Sequence, residues 1–374
     1  MYDISVIKIL KNDESLIWSL TWSNNGDFFF SSASNGIVNI WGPCVKQNFL
    51  IKDCRFNFVL DFMRNWKVLC KFNINLLNKS FRSIGNMGKT NRFCFSSFSG
   101  EMILCSLDIF RSKKNISLKI DDYLIGHYAE IKHTVFSTEG SLLITCGRDK
   151  KVIVWEKNFS RIFQCILVID DHESDVKKIK LMENGKYIFS STYNGVIRAF
   201  ALKKRIYELL ITFDFSSDII WNIDFDLLEK KIFLIKDDGS FYYFPLKKYS
   251  FSNLEITKNP MDFFHASIES ESLYVSESSK VNSFLTIGSK FGTIYFLKKH
   301  EKFSLKSKKK IEYYKNVNFK NFYWYENEIF LNKAHSENII CLSWHPIEEN
   351  VLISSGKGAE ILIWFIGSRF SDQR

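Results

Sequence analysis

Three stretches of this 374-residue chain are copies of one pattern. They are GHYAEIKHTVFSTEGSLLITCGRDKKVIVWE from Gly126, DHESDVKKIKLMENGKYIFSSTYNGVIRAF from Asp171 and AHSENIICLSWHPIEENVLISSGKGAEILIWF from Ala334. Each opens on a histidine and a short apolar strand, turns at a glycine or a Glu-Asn pair, and enters a second strand rich in Ser or Thr. A tight turn follows, and a third strand ends on an aromatic residue. Recurrence at roughly 40 to 50 residues constrains the fold more than composition does, because one such unit cannot bury its apolar face alone and must stack on its neighbours.

This is the WD-repeat pattern, one four-stranded propeller blade per unit. Weaker copies fill the rest of the chain. Leu16 to Trp41 is a first blade with Asn35 at the turn aspartate, and Ser80 to Cys105 a second with Ser99 there. Ile219 to Phe244 is a fifth that keeps Asp238, and Asp262 to Leu297 a sixth with neither marker. The expected fold is all-β, a seven-bladed WD-repeat β-propeller spanning 1–374 as a single domain. Its blades fall near 11–45, 75–112, 122–160, 165–205, 207–248, 251–302 and 311–367. The apolar run Ile4 to Leu10 has no blade of its own, so residues 4–10 complete the last blade and leave no sheet edge open.

Side-chain chemistry accounts for the spacing. In such a blade the turn aspartate accepts hydrogen bonds from the histidine and from backbone amides, the histidine reaches a Ser or Thr, and that hydroxyl meets the Trp indole N–H. A buried network of this kind is worth its desolvation only when every member is satisfied. In the third unit the members are His127, Thr145, Asp149 and Trp155. The run Val152-Ile153-Val154 is then a strand with alternate faces buried.

Other motifs reduce to structure. GNMGKT, Gly85 to Thr90, resembles the end of a phosphate-binding loop, but Ser83 stands at the required first glycine and a strand follows instead of a helix. His127, His172 and His335 recur once per unit, as the network requires, and CLSWH (Cys341 to His345) offers no second ligand pair. The eight cysteines form no CxxC pair, which points to reduced thiols and no metal. No cofactor is expected, no enzyme is seen, and no apolar run reaches the ~20 residues of a membrane-spanning helix. The net charge of +10 is dispersed, and its main run, Lys306 to Lys310, is read as a solvated loop.

What remains is surface. Two positions per blade face the narrow side of a propeller: the residue before the turn aspartate, and one just after the first apolar residue of the innermost strand. The first set includes Arg148, and the second reads Trp18, Arg82, Lys132, Lys177, Trp221, Phe264 and Ile340. Arg82, Lys132 and Lys177 are expected to be exposed, since core positions do not carry cations. A face mixing cations with Trp and Phe suits an acidic, aromatic peptide.

Taken in order, the units resemble the WD-repeat proteins of the cytosolic iron–sulfur protein assembly machinery, the Cia propeller family. The most specific stretch is CGRDKKVIVWE followed by FQCILVIDDHESDVKKIK, Phe163 to Lys180. Family members carry a near-identical Arg-Asp-Lys turn, then Trp-Glu, then a Cys-containing strand leading to His-x-x-Asp-Val-Lys. KILKNDESLIWSLTWS and AHSENIICLSWHPIEENVLISS are similar to the family's first and last blades, whereas Gly358 departs from its turn aspartate. The resemblance implies a scaffold that docks apo iron–sulfur client proteins and a hydrogenase-like cluster carrier onto a targeting complex. It implies a cytosolic protein, while cysteine usage alone leaves cytosol and nucleus both open, and it matches the family's important surface arginine to Arg148. The alternative, motivated by charge, is a WD-repeat scaffold in RNA processing or ribosome assembly. Nucleic acid and membrane are not expected as partners under the first reading.

Overall fold

The protein is described from a computed structural model over residues 2–12, 15–43, 63–73, 80–88, 90–110, 115–215, 218–226, 231–245, 264–267, 272–279, 284–299, 325–331 and 333–368. Seven four-stranded antiparallel sheets follow one another around a ring. Their innermost strands are Ile17–Trp22, Phe81–Asn86, Ile131–Phe136, Val176–Met182, Ile220–Asp226, Leu273–Ser278 and Ile339–Trp344, in blades one to seven. Each lies against the next, and the seventh against the first, so the ring closes. As expected, the last sheet is completed by the N-terminal strand, Tyr2–Lys11, which pairs antiparallel with Glu360–Ser368. No sheet is left with an open seam at the chain ends, which is how a propeller avoids edge-to-edge association.

The core is seven cores, one between each pair of neighbouring blades. Phe30, Phe93 and Phe95 fill the gap between blades one and two, with the rings of Phe30 and Phe93 4.2 Å apart. Ile153, Trp155, Leu143 and Met102 fill the gap between two and three. Strands buried on both faces explain the near-continuous apolar runs, such as the fully buried Tyr187–Thr192 and Val351–Gly356.

Two features differ from the sequence reading. The repeat and the blade are offset by one strand, because the outermost strand of a blade precedes the next histidine. Phe163–Ile169, which opens the fourth unit in sequence, is the outer strand of blade three. The same offset places Phe264 in Phe264–Ser267, the outermost strand of blade five, and not at the narrow face of blade six. Tyr274 holds the position assigned to it. Lys306 to Lys310 lie outside the described residues.

Candidate docking face

One backbone irregularity recurs in all seven innermost strands. The ladder to the second strand slips between Ile17 and Ser19, Phe81 and Ser83, Ile131 and His133, Val176 and Lys178, Ile220 and Asn222, Leu273 and Val275, and Ile339 and Cys341. The extra residue in each bulge is the narrow-face residue: Trp18, Arg82, Lys132, Lys177, Trp221, Tyr274 and Ile340. A bulge re-aims one side chain without moving the rest of the strand, so the propeller uses the same device seven times to present a ring of side chains. A second ring is set by another repeated feature. The amides of Ser34, Phe98, Arg148, Tyr193, Asp237, Lys290 and Lys357 each donate to the carbonyl two residues before the bulge of the same blade, from Leu16, Ser80, Glu130, Asp175, Ile219, Ser272 and Asn338.

The turns that carry this second ring need a left-handed residue two positions on. Gly36, Gly100, Gly195, Gly239 and Gly292 supply it in five blades, and Lys150 (φ 68°) and Ala359 (φ 60°) in blades three and seven.

In blade three the four-residue network is complete. His127 Nδ1 donates to Asp149, 2.8 Å from Oδ2 and 3.0 Å from Oδ1, and its Nε2 is 2.8 Å from Thr145 Oγ1. Trp155 Nε1 donates to that same oxygen at 3.1 Å. The amides of Tyr128 and Lys151 also donate to Asp149, at 3.3 and 3.2 Å. Burial works to raise the pKa of this carboxyl, but the His127 hydrogen bond and charge, with the two amides, outweigh it and hold the group below its ordinary value. Asp149 is therefore occupied in holding the turn. Its neighbour Arg148 is exposed, and its guanidinium has no hydrogen bond or ion pair with any described residue.

Arg82, Lys132 and Lys177 are not free, contrary to the expectation from their residue type, whereas Lys357, at the place of Arg148 in blade seven, is exposed and has no partner among the described residues. Arg82 is half-buried, its guanidinium 5.0 Å from the Trp18 ring and its Nε 3.3 Å from Glu130. Lys132 reaches Glu130 at 2.8 Å and Asp175 at 3.6 Å. Lys177 lies 4.2 Å from the Tyr193 ring and 4.7 Å from Trp221. Burial first, then Lys132, pushes the Lys177 pKa down to about 8, against the pull of Asp175.

Around Trp221 the face becomes a cluster. Tyr274 packs on it at a tilt with ring centroids 4.5 Å apart, Tyr193 meets its edge at 6.2 Å, and Lys290 lies 5.0 Å from the ring centre. The indole N–H donates to Asp237 at 2.8 Å, and Lys290 pairs with the same carboxylate. Trp18 packs on Phe98 at 5.1 Å. The narrow face thus holds two aromatic centres, one on blades one and two and one on blades four to six, with an ion-pair chain Arg82–Glu130–Lys132–Asp175 between them. Tyr193, Tyr274, Asp237, Lys290 and the two acids were not named from sequence. The turn rule that selected Arg148 selects Tyr193, Asp237 and Lys290 as well, once each ladder is in register.

The remaining candidates fall where their chemistry is spent. Gly85 to Thr90 runs from the end of a strand through a turn into Arg92–Ser97, with no helix behind it, and Lys89 lies outside the described residues. His345 uses both ring nitrogens, Nε2 at 3.1 Å from the Gly26 carbonyl and Nδ1 accepting from the Glu348 amide at 2.8 Å. Among the described residues no group of three His, Cys, Asp or Glu could hold a metal, and no helix is long and apolar enough to cross a membrane.

The fold is a seven-bladed β-propeller built of WD40 repeats. The WD domain, G-beta repeat family matches residues 4–42, 119–156 and 163–200. Each match begins in the outer strand of the preceding sheet, reproducing the one-strand offset. Among curated proteins the chain is 36% identical over 80 residues to the probable cytosolic iron-sulfur protein assembly protein 1 of Sclerotinia sclerotiorum, covering 20% of this chain and 18% of that one. It is 35% identical over 79 residues to the periodic tryptophan protein 2 homolog of Caenorhabditis elegans, covering 21% of this chain and 8% of that one. It is also 24% identical over 107 residues to the pre-mRNA-processing factor 19 homolog 2 of Arabidopsis thaliana, covering 25% and 20%. The matches thus span less than a quarter of each of these relatives.

Proposed function

We propose that the protein is a non-catalytic scaffold of cytosolic iron–sulfur cluster assembly, working in the cytoplasm. Its narrow face docks a hydrogenase-like cluster carrier and apo iron–sulfur client proteins onto the targeting complex. The observation that carries this reading is Arg148. It stands exposed and unpaired, as does Lys357 at the same place in blade seven, while Arg82, Lys132, Lys177 and Lys290 are each engaged by carboxylates or rings. Its turn is followed by the Asp175-Val176-Lys177 stretch, which lies on the same face in the next blade. An arginine free to pair and stack, at the same turn position as Tyr193 of the Trp221 cluster in the next blade, suits a partner segment carrying a carboxylate and an aromatic ring. The printed name of the Sclerotinia relative supports the assignment to iron–sulfur assembly.

A second reading, a scaffold in RNA processing or ribosome assembly, is favoured by the charge of +10 and by the name of the Arabidopsis relative. The test is to immobilise the protein and its Arg148→Glu variant and identify captured partners by mass spectrometry. The first reading expects iron–sulfur assembly factors and apo iron–sulfur enzymes on the parent alone. Capture of ribosomal or splicing proteins, indifferent to Arg148, would overturn it. RNA binding whose affinity falls steeply with salt would then support the second.

A further inference from the structure

The axis of the ring carries a feature that neither the blade network nor the docking face uses. One residue past the bulge of blade four stands Lys178, and two further along the same strand stands Lys180. Lys180 is neutralised: its Nζ is 2.7 Å from Asp224 Oδ1 on the innermost strand of blade five. Burial works against its charge, but Asp224, with Glu277 of blade six behind it, holds its pKa above the ordinary value. Lys178 is not neutralised. It is half-buried, and its ammonium has no hydrogen bond or ion pair with any described residue.

Its register places it on one level of the central channel: Ser19, Ser83, His133, Asn222, Val275 and Cys341 hold the same position, one residue past the bulge, in the innermost strands of the other six blades. The charged and titratable groups that act on it come from Lys180 on its own strand, Asp224 of blade five, Glu277 of blade six and Cys341 of blade seven. His133 of blade three senses both lysines, together with Arg82 of blade two. Burial, then Lys180, brings the Lys178 pKa down to about 8. The neighbouring His133 has a buried Nδ1 with no partner. Burial, then Lys178 and Lys180, keeps this imidazole well below its usual pKa.

We propose that Lys178 anchors an anion-binding site on the propeller axis, entered from the docking face and taking one small oxyanion, either free or borne as a carboxylate by a partner segment. An unpaired ammonium beside a second ammonium is unfavourable in a partly desolvated channel, and an anion relieves both. Lys177, the preceding residue, is held by rings and not by a carboxylate and so adds positive charge at the mouth, whereas Arg82 and Lys132 are balanced by Glu130 and Asp175. The Lys180–Asp224 pair and Glu277 close the site from below, because an anion moving deeper would meet carboxylates. Three ammonium N–H donors face the ligand, and His133 adds another when it takes up a proton. The inference stands apart from the proposed cellular role, since it uses no relative and no partner name.

The test is trace acetylation of the full-length protein across pH at constant ionic strength, with Lys178 followed by peptide mass spectrometry. Four arms are compared: no addition, inorganic phosphate, a short peptide ending in glutamate, and the same peptide with glutamine and an amidated end. Without addition, Lys178 reacts with a midpoint near pH 8, below the surface lysines. Phosphate or the acidic peptide should move that midpoint up by about one pH unit, cutting labelling at the original midpoint severalfold. Protection by phosphate assigns a free oxyanion, and protection by the acidic peptide alone assigns a partner's carboxylate. Protection by neither, or equally by the glutamine peptide, would overturn the site. Lys178→Met serves as an independent control. It should fold, and it should abolish any rise in melting temperature that phosphate or the acidic peptide gives the parent. A rise retained in the variant would also overturn the site.

Discussion

Blades two and three occupy neighbouring places in the ring and fill one slot in opposite ways. In blade three, Thr145 on the second strand meets His127 and Trp155 in a polar network. In blade two the registers place Phe95 and Cys105 at the positions of Thr145 and Trp155, both fully buried. Blade six does the same with Ile287 and Leu297, and blade five puts Leu234 at the threonine position. Blades one and seven keep the hydroxyl–indole contact, Trp41 to Ser31 at 2.8 Å and Trp364 to Ser354 at 2.7 Å. Blade four stands halfway, with His172 2.8 Å from Ser190 but Phe200 in place of Trp and a buried His172 Nδ1 without a partner. The blade geometry therefore does not require the network. A slot satisfied wholly by polar groups or wholly by apolar ones is stable, and the cost falls on slots satisfied in part.

The sharpest way to break this comparison is to empty the blade-three slot. Trp155→Ala removes a nearly buried indole and takes from Thr145 one of its two partners, leaving His127, and should cost about 3–5 kcal/mol in chemical denaturation. A cost below about 1 kcal/mol would mean that the interblade packing, and not the slot, holds the blade.

Acid tests the half-satisfied slots next. Burial pushes His172 and His335 down to about 4, from an ordinary value of 6.5. A folded-state pKa below the unfolded one means that the unfolded chain binds more protons between those values. Stability is then fully present above about pH 6.5 and is lost as pH falls toward 4, by about 2 kcal/mol per histidine between pH 7 and 5. Urea midpoints at the two pH values measure it, and a flat profile would show that these rings titrate normally.

Asp149→Ala makes blade three resemble blade four, leaving His127 Nδ1 and two amides unpaired. It should cost about 1–3 kcal/mol, and an unchanged melting temperature would remove Asp149 from the network. Arg148→Glu, one residue away, should change stability by less than about 0.5 kcal/mol.

Where the slot is polar, the sequence spells the blade. The His, Ser or Thr and Trp markers placed blades one, three, four and seven, and the lone apolar strand before blade one was legible as the closing strand. Where the slot is apolar the markers vanish, since Leu234, Ile287 and Leu297 look like any strand residue. That is why Phe264 was set one strand too late and Tyr274 was missed. The bulge positions were readable because they follow the first apolar residue of each innermost strand. Their partners were not, because Glu130 and Asp175 reach Arg82 and Lys132 across blade boundaries that only the closed ring creates. Residue type alone therefore predicted exposed cations where the structure holds paired ones.

The account rests most heavily on the division of labour between two adjacent residues, Asp149 holding the turn and Arg148 meeting the partner. The most direct measurement is a melting curve and a partner-binding isotherm, taken together for Arg148→Glu against the parent. The account predicts coincident melting curves with binding weakened at least tenfold, a loss of about 1.4 kcal/mol or more. Lower melting with parallel loss of binding, or full binding by the variant, would contradict it.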